Sequence, residues 1–255
     1  KTPTPIAAFF RARKVKNVFS PKIGLSFSEN FFYMCFGKVP NKEIIKAFDV
    51  SLILYAEHSF NVSTFTARTI TSSLSDIHGA ITGAIASLKG PLHGGANEEV
   101  MHMMNKIKKP ENALKWITNT LDKKEVVMGF GHRVYKSVDP RATYLKTFAE
   151  GIAQDTGNMN LFDISKRIEK IMDREVGKKG IYPNVDFYSA TTYFSLGIDL
   201  DLFTPLFAMS RVAGWTAHCL EYLQDNRLIR PRCDYVGPHE QTSVSYTHLT
   251  LPTSD

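Results

Sequence analysis

Residues 41–60 read NKEIIKAFDVSLILYAEHSF. The apolar side chains of this stretch recur three or four positions apart, at Ile44, Ile45, Phe48, Leu52 and Tyr55. Residues with this spacing lie on one face of an α-helix, because the helix has about 3.6 residues per turn. The stretch therefore predicts an amphipathic helix that packs by this face against the rest of the protein.

Helical spacing, with start and stop signals, extends over most of the chain. Asp139-Pro140 predicts a helix start, since aspartate caps a helix and proline suits its first position. Gly177 is a natural helix end. Sustained period-two alternation, which would indicate strands, is missing, and its best short run is 125–128. The sequence predicts an all-α fold, with one helix beginning at Asn97 and others over 41–60, 76–88, 111–121, 140–154, 163–176, 187–196 and 205–223.

The composition is that of an ordinary globular protein. Of 255 residues, 43% are apolar and 22% charged, which excludes a disordered chain. No run approaches the ~18 apolar residues of a membrane span. The 31 Lys and Arg exceed the 25 Asp and Glu, which gives a formal charge of +6, but the basic residues are scattered without interleaved aromatics. We therefore expect small anionic partners, no nucleic acid and no membrane.

The three cysteines, Cys35, Cys219 and Cys233, form no Cys-x-x-Cys pair. An odd and sparse cysteine count indicates a reducing compartment, so we predict a cytoplasmic protein. The cysteines and histidines also lack the spacing of metal ligands. We therefore expect no metal site.

Both ends of the chain are unusual. The first residue is lysine rather than methionine, and residues 1–16 lack the apolar core of a signal peptide. Residues 241–255 are rich in serine and threonine, with little apolar periodicity. We expect the chain to begin inside a longer protein, and residues 241–255 to be disordered or foreign to the fold.

The first candidate for chemistry is the histidine in GPLHGGAN, residues 90–97. The two glycines after His93 let a ligand approach the backbone closely. A helix start beside His93 favours a neutral ring and stabilises a developing negative charge. The alternative is a loop histidine in an ordinary glycine turn.

The second candidate is GFGHRVY, residues 129–135, followed by Asp139-Pro140-Arg141. A dinucleotide fingerprint would have its third glycine where Val134 stands, so we discard that motif. The two glycines would still present backbone N–H groups to a ligand. Arg141 can direct its planar guanidinium at a carboxylate, or else it pairs with a neighbouring acid.

Three further residues carry charge or a titratable ring in apolar surroundings. Asp186 precedes an apolar helix, whose dipole favours the ionised form that a general base requires; the alternative is a capping aspartate. Arg211 lies inside an apolar helix, where it needs an anion, either an internal Asp or Glu or a ligand carboxylate. His58 poses the same question, with a core histidine as the alternative.

Together these segments resemble the citrate synthase family, and the resemblance covers residues 39–238. Six segments follow family patterns in the family's order. They are AEHSFNVSTFTAR (56–68), PLHGGANEEVM (91–101), GFGHRVYKSVDPRA (129–142), YPNVDFYSA (182–190), FTPLFAMSRVAGW (203–215) and NRLIRPRCDYVGP (226–238).

The resemblance implies a helical, two-domain homodimer. Its activity would be the condensation of acetyl-CoA with oxaloacetate and the hydrolysis of citryl-CoA, within the tricarboxylic acid cycle. By position, residues 1–93 and 198–240 would form the large domain and residues 94–197 the small domain. The N-terminal helices that precede Lys1 in full-length relatives would be missing.

The same resemblance assigns roles to single residues. Asp186 would remove a proton from the acetyl-CoA methyl group, His93 would stabilise the resulting enolate, and His132 would polarise the oxaloacetate carbonyl. The residues that hold oxaloacetate would be His58, Arg141, Arg211 and, from the other subunit, Arg230. The CoA neighbourhood would be Gly129, Phe130, Gly131 and either Arg133 or Lys136.

The resemblance implies no tightly bound cofactor, since the acyl-CoA is a substrate. It leaves two alternatives open. A 2-methylcitrate synthase, which uses propionyl-CoA, shares every quoted motif, and one methylene in a pocket is worth only about 1–3 kcal/mol. A truncated remnant that binds CoA without turnover is the other.

Overall fold

The computed structural model describes residues 2–240 and Thr242, so the prediction for residues 241–255 lies, apart from Thr242, outside the described residues. Over this part of the chain there are eleven α-helices and no β-strand, which confirms the all-α class. The helices are α1 (Pro3–Arg13), α2 (Phe27–Phe36), α3 (Lys42–Ala56), α4 (Val62–Ser72), α5 (Ile77–Leu88), α6 (Ala96–Ile107), α7 (Ala113–Asp122), α8 (Pro140–Thr156), α9 (Met159–Val176), α10 (Val185–Ser195) and α11 (Phe203–Gln224).

Side-chain caps start helices where the sequence predicted them. Asn41 caps α3, accepting a hydrogen bond from the backbone N–H of Ile44 at 2.9 Å. Asp139 caps α8, with Pro140 at its first position. Helix α3 ends at Ala56, short of the predicted residue 60, because Glu57 adopts extended backbone angles. The alternating run 125–128 forms no strand and lies in the connection between α7 and α8.

Two helices of the N-terminal half, α2 and α4, have start signals that the periodicity analysis did not use. A capping box starts α2, in which the side chains of Ser26 and Glu29 each accept a hydrogen bond from the other's backbone N–H. Asn61 caps α4, accepting from the backbone N–H of Thr64 at 3.1 Å. Local capping chemistry therefore predicts both helices better than apolar spacing does.

Helix α11 is the longest helix of the described chain and lies at the centre of the packing. It contacts α3, α4 and α5 and, less extensively, α6, whereas α10 contacts α6, α8 and α9. Large side chains from both helices are fully buried, including Trp215 of α11 and Phe187 of α10. None of the described helices is long and apolar enough to cross a membrane.

Helix α11 passes very close to the end of α3. A Cβ atom added at Gly214 would lie 2.3 Å from the carbonyl oxygen of Ala56 and 3.2 Å from the Cα of Glu57. Both are backbone atoms that precede His58 directly. Glycine at this position therefore lets α11 approach the segment that carries His58.

We predict that Gly214→Ala destabilises the protein by about 1–3 kcal/mol, because the added methyl group overpacks the contact with α3. Gly151→Ala is the matched control: Gly151 is also helical, but no atom lies within 4 Å of its added Cβ. There alanine should stabilise by about 0.5–1 kcal/mol. Urea unfolding of both variants measures the difference. Equal stability of the two variants would contradict the close approach.

Candidate active site

Six of the predicted site residues line one cavity of about 110 Å³. They come from segments far apart in the sequence: the loop after α3, the loop before α6, the loop before α8, and helices α8, α10 and α11. The lining residues are His58, Asn61, His93, His132, Arg141, Asn184, Val185, Asp186, Phe207 and Arg211. The fold thus concentrates histidines, arginines and one carboxylate around a small space.

Two chain segments pair beside this cavity and tie His132 to Asp186. The Gly131 N–H donates to the Tyr182 carbonyl at 2.8 Å, and the Asn184 N–H donates to the Gly129 carbonyl at 2.9 Å. The Asn184 side chain donates to the Gly131 carbonyl at 3.0 Å and accepts from the Asp186 N–H at 3.0 Å. Asn184, not Asp186, therefore caps α10, and the interpretation of Asp186 as a capping residue is wrong.

Gly129 needs to be glycine for this pairing. Its φ is +84°, a region that side chains disfavour, and an added Cβ would lie 2.8 Å from Val100 and 2.9 Å from Phe187. The Gly131 N–H already donates to a carbonyl, so it is not available to a ligand, contrary to the expectation for this loop. Phe130 is buried against Phe187.

Hydrogen bonds fix the tautomer of His132. Its Nδ1 atom accepts from the backbone N–H groups of Val134 at 3.0 Å and Tyr135 at 3.2 Å. The ring proton of the neutral form therefore sits on Nε2. Burial, together with the positive charge of Arg141, lowers the pKa of His132, so the neutral ring dominates at pH 7. His132 can donate an Nε2–H hydrogen bond into the cavity.

His93 is also held neutral. Its Nε2 atom lies 2.8 Å from Ser63 Oγ, which in turn accepts from Trp215 Nε1 at 3.1 Å. Burial, and next the charge of Arg211, lowers the pKa of His93 to about 4. The sequence predicted a neutral ring from a neighbouring helix start, but burial is the larger cause. The interpretation as an ordinary loop histidine does not account for this arrangement.

His58 lies against the other polar rings of the cavity. Its Nε2 atom is 3.3 Å from the Tyr135 hydroxyl, and its ring centroid is 5.0 Å from that of His132. Burial and the charge of Arg141 lower the pKa of His58 to about 4. His58 is therefore a neutral hydrogen-bonding group that faces the cavity.

The two arginines of the cavity differ in their partners. Asp139 holds Arg141 through Nε–H and Nη2–H hydrogen bonds of 3.0 and 2.8 Å. Arg211 is 2% exposed, and it has no Asp or Glu ion-pair partner among the described residues. Its Nε–H donates to the Tyr55 carbonyl at 2.6 Å, and its guanidinium lies 4.8 Å from the Phe207 ring centre.

The positive charge of Arg211 in the cavity is not neutralised by direct pairing with any residue of the described part of the protein. Burial, and the nearby charge of Arg141, lower the pKa of Arg211 to about 10, so the side chain remains a cation at pH 7. A buried cation without a carboxylate partner favours an anionic ligand. The sequence analysis considered two anions for Arg211, an internal Asp or Glu and a ligand carboxylate. The described residues do not provide an ion pair of the first kind.

Asp186 is the acid that faces this positive charge. Burial raises the pKa of Asp186 to about 6, against the opposing effects of a hydrogen bond from Tyr55 and the charges of Arg141 and Arg211. The sequence analysis expected the helix dipole to dominate and favour the ionised form; burial has the larger effect. A carboxylate of this pKa is ionised at pH 7 and is more basic than an exposed one.

The other predicted residues lie outside the cavity. Arg230 is exposed beyond the end of α11 and donates to the Pro231 carbonyl at 2.8 Å. Lys136 is an exposed residue in the loop before α8. The sequence analysis gave no site role to Asn61 and Asn184, although both have the cap signal of an asparagine before a helix. It also gave none to Tyr55, Ser63 or Phe207.

Comparison with known proteins places the chain in a family. The family model for the citrate synthase C-terminal domain matches residues 1–232. Citrate synthase 2 of Bacillus subtilis is 52% identical over 244 residues, which are 96% of this chain and 65% of that protein. A 2-methylcitrate synthase of Mycobacterium tuberculosis is 46% identical over 239 residues, covering 94% of this chain and 60% of the relative. The chain thus spans less than two thirds of the length of these curated relatives.

Solved structures agree with this assignment. A citrate synthase of Thermoplasma acidophilum, in a ternary complex with carboxymethyl coenzyme A and oxaloacetate, superposes with a TM-score of 0.91 at 40% identity. The match covers 96% of this chain and 66% of that one. The Thermotoga maritima citrate synthase gives a TM-score of 0.88 at 42% identity, covering 98% and 68% of the two chains. The chain belongs to the citrate synthase family.

Proposed function

We propose that this chain carries the catalytic centre of a citrate synthase, which condenses acetyl-CoA with oxaloacetate and hydrolyses citryl-CoA to citrate and CoA. The observation that carries the proposal is the shared cavity of Arg211, a buried cation without a carboxylate partner among the described residues, and the basic carboxylate of Asp186. The Thermoplasma acidophilum relative, solved with oxaloacetate and a CoA derivative, supports this substrate pair.

In the first step Asp186 removes a proton from the methyl group of acetyl-CoA. The C–H bond breaks, the proton moves to the carboxylate, and the electron pair delocalises onto the thioester oxygen. The neutral ring of His93 donates a hydrogen bond to that oxygen and stabilises the enolate. For this the ring proton lies on Nδ1, and the Ser63 hydroxyl donates to His93 Nε2 instead of to the Asn61 side-chain oxygen. A pKa of about 6 suits Asp186 to this task, because the group is ionised at pH 7 and still basic.

In the second step the enolate carbon attacks the carbonyl carbon of oxaloacetate. His132, whose proton sits on Nε2, donates to the carbonyl oxygen and passes this proton to it as the new C–C bond forms. The proton that Asp186 took in the first step then restores the neutral ring and leaves Asp186 ionised again. Arg211, Arg141 and His58 would hold the oxaloacetate. Arg141 is already paired with Asp139, so Arg211 is the cation of the cavity that has no ion-pair partner among the described residues and can face a ligand carboxylate.

We propose that CoA binds near the backbone of Gly129, Phe130 and Gly131 and near the exposed Lys136. The Gly131 N–H itself donates to the Tyr182 carbonyl and does not take part. We also keep residues 94–197 as a small domain between the two parts of a large one. The packing of α10 on α6, α8 and α9 supports the small domain, and that of α11 on α3, α4 and α5 supports the large one.

We further propose a homodimer that works in the cytoplasm, in the tricarboxylic acid cycle. Apolar side chains are exposed along α4 and α5, which suits a second copy: Val62, Phe65, Ile77 and Ile85. The segment that carries Arg230 lies next to this surface, because Asn226 and Ile229 both donate hydrogen bonds to Ser72, the last residue of α4. This position would place Arg230 at the interface of the proposed dimer.

The nearest alternative is a 2-methylcitrate synthase, supported by the Mycobacterium tuberculosis relative. It needs space for one more methyl group beside the acyl carbon. Thiol release with propionyl-CoA in place of acetyl-CoA distinguishes the two. A truncated remnant that binds CoA without turnover, the other alternative, would release no thiol with either acyl-CoA.

We predict that the full-length protein releases free thiol when mixed with oxaloacetate and acetyl-CoA, and that Asp186→Asn lowers this rate by about 10²–10⁴-fold. Asp163→Asn, a change at an exposed aspartate of α9, should leave the rate unchanged. Because Asp186 must be ionised, kcat/KM for acetyl-CoA should fall tenfold per pH unit below about pH 6. Wild-type rates in Asp186→Asn would contradict its role as the base.

A mixing experiment tests the contribution of Arg230 from a second subunit. Arg230→Ala and Asp186→Asn should each be nearly inactive alone. In a mixed dimer one site combines the intact Asp186 of one subunit with the intact Arg230 of the other, so random exchange should restore about a quarter of wild-type activity. Thiol release after joint refolding measures it. No recovery in mixtures that size-exclusion chromatography shows to be dimeric would contradict the proposal.

A further inference from the structure

Tyr55 occupies a position between the elements that form the cavity. It lies in the last turn of α3 and is fully buried. Its hydroxyl contacts Asp186 of α10, its ring centroid lies 4.3 Å from the ring centroid of Phe207, and its carbonyl accepts from Arg211 of α11. One residue thus contacts both the basic carboxylate and the buried cation.

The direction of the hydrogen bonds around Tyr55 follows from proton counting. An ionised carboxylate can only accept, so Tyr55 donates its single hydroxyl proton to Asp186 Oδ1, at 2.7 Å. The Ser189 hydroxyl lies 2.6 Å from the same phenol oxygen and 3.2 Å from the Asp186 carbonyl oxygen, so its single proton goes to the closer acceptor, the phenol. The result is a chain of donors from Ser189 through Tyr55 to Asp186.

The two carboxylate oxygens of Asp186 differ in their hydrogen bonds. Oδ1 accepts from Tyr55, whereas Oδ2 makes no hydrogen bond within the described part of the protein. An oxygen that already accepts a strong hydrogen bond is the weaker base of the two. Burial, and then the neighbouring charge of Asp186, raise the pKa of Tyr55 well above its ordinary value, so the phenol keeps its proton and never competes as the base.

We propose that Tyr55 is a positioning residue for the reaction: its hydroxyl holds Oδ1 of Asp186, so that Oδ2 takes the proton from the acyl-CoA, and its carbonyl orients Arg211. The inference rests on the proposed function. When Oδ2 becomes protonated, Oδ1 still accepts from Tyr55, so the carboxyl group keeps its orientation through both protonation states.

The groups around Asp186 determine how its pKa changes when the Tyr55 hydroxyl is removed. The titratable and charged groups that face it are Tyr55 from α3, Arg141 from α8, Tyr193 from α10, Arg211 from α11, Asp139 before α8, and the cavity histidines His58, His93 and His132. The Tyr55 hydrogen bond favours the ionised form of Asp186. Without it, burial dominates further and the pKa of Asp186 rises.

The test is Tyr55→Phe in the full-length protein, beside Tyr193→Phe as matched control. Tyr193 lies on α10, is equally buried, and donates to Ser51 at 3.1 Å, away from the cavity. We expect kcat of Tyr55→Phe to fall about 10- to 100-fold, because the base loses its orientation. The KM for oxaloacetate should stay within about twofold, since the main-chain contact with Arg211 remains. The acid limb of kcat/KM should move up by about one pH unit.

Wild-type kcat with an unchanged acid limb in Tyr55→Phe would overturn the inference, as would an equal loss in Tyr193→Phe. A second measurement needs no turnover: NMR titration of ¹³C-labelled aspartate carboxyls, with Asp186→Asn to assign the signal. The Asp186 carboxyl should titrate at higher pH in Tyr55→Phe than in wild type. If wild-type protein released no thiol, the proposed function would fail, while this titration would still decide whether Tyr55 controls Asp186.

Discussion

The carboxylate of Asp139 accepts four hydrogen bonds and joins the starts of two helices. Three come from Arg141, through its backbone N–H, Nε–H and Nη2–H, and the fourth is from the backbone N–H of Val185 at 3.2 Å. Burial alone would raise the pKa of Asp139, but its hydrogen bonds to Arg141 and the charge of that side chain outweigh burial and lower it. Asp139 therefore stays ionised, fixing Arg141 in α8 and the residue before Asp186 in α10.

The electrostatic balance of the cavity follows from that pairing. Since Asp139 neutralises Arg141, Arg211 is the buried cation left without a carboxylate partner in the described chain, and Asp186 is the carboxylate left to act as a base. The three histidines are neutral, so they act as hydrogen-bonding groups and add no charge. The site thus separates one anion-binding group from one proton acceptor across a small space.

The sequence analysis predicted α3 from its apolar spacing and α8 from Asp139-Pro140, but it missed α2 and α4, whose start signals are equally local. It also predicted six of the ten residues that line the cavity, because the motifs that contain them, taken together, resemble the citrate synthase family. It missed Tyr55, whose role comes from a contact with Asp186, 131 positions away. Periodicity classed Tyr55 as one more apolar residue of a helix face.

Properties that depend on burial could not be predicted in this way. The raised pKa of Asp186 and the missing carboxylate partner of Arg211 both depend on which helices surround them. The helix dipole, which is visible in the sequence, pointed to the opposite shift for Asp186. The use of the Gly131 N–H by Tyr182 is likewise a contact between segments that are distant in the sequence.

The dependence of the cavity on Asp139 is tested most directly by calorimetric titration of oxaloacetate into Asp139→Asn. Asparagine keeps a capping oxygen, but its NH2 group cannot accept the hydrogen bond that Asp139 takes from the Arg141 guanidinium. Arg141 therefore loses its orientation, and Kd should rise about 10- to 100-fold although a negative charge is removed, the equivalent of about 1.5–3 kcal/mol for hydrogen bonds to a charged group. Asp76→Asn is the matched control, because Asp76 also caps a helix but is exposed, and its Kd should not change. A folded Asp139→Asn protein that binds oxaloacetate as tightly as wild type would contradict the account.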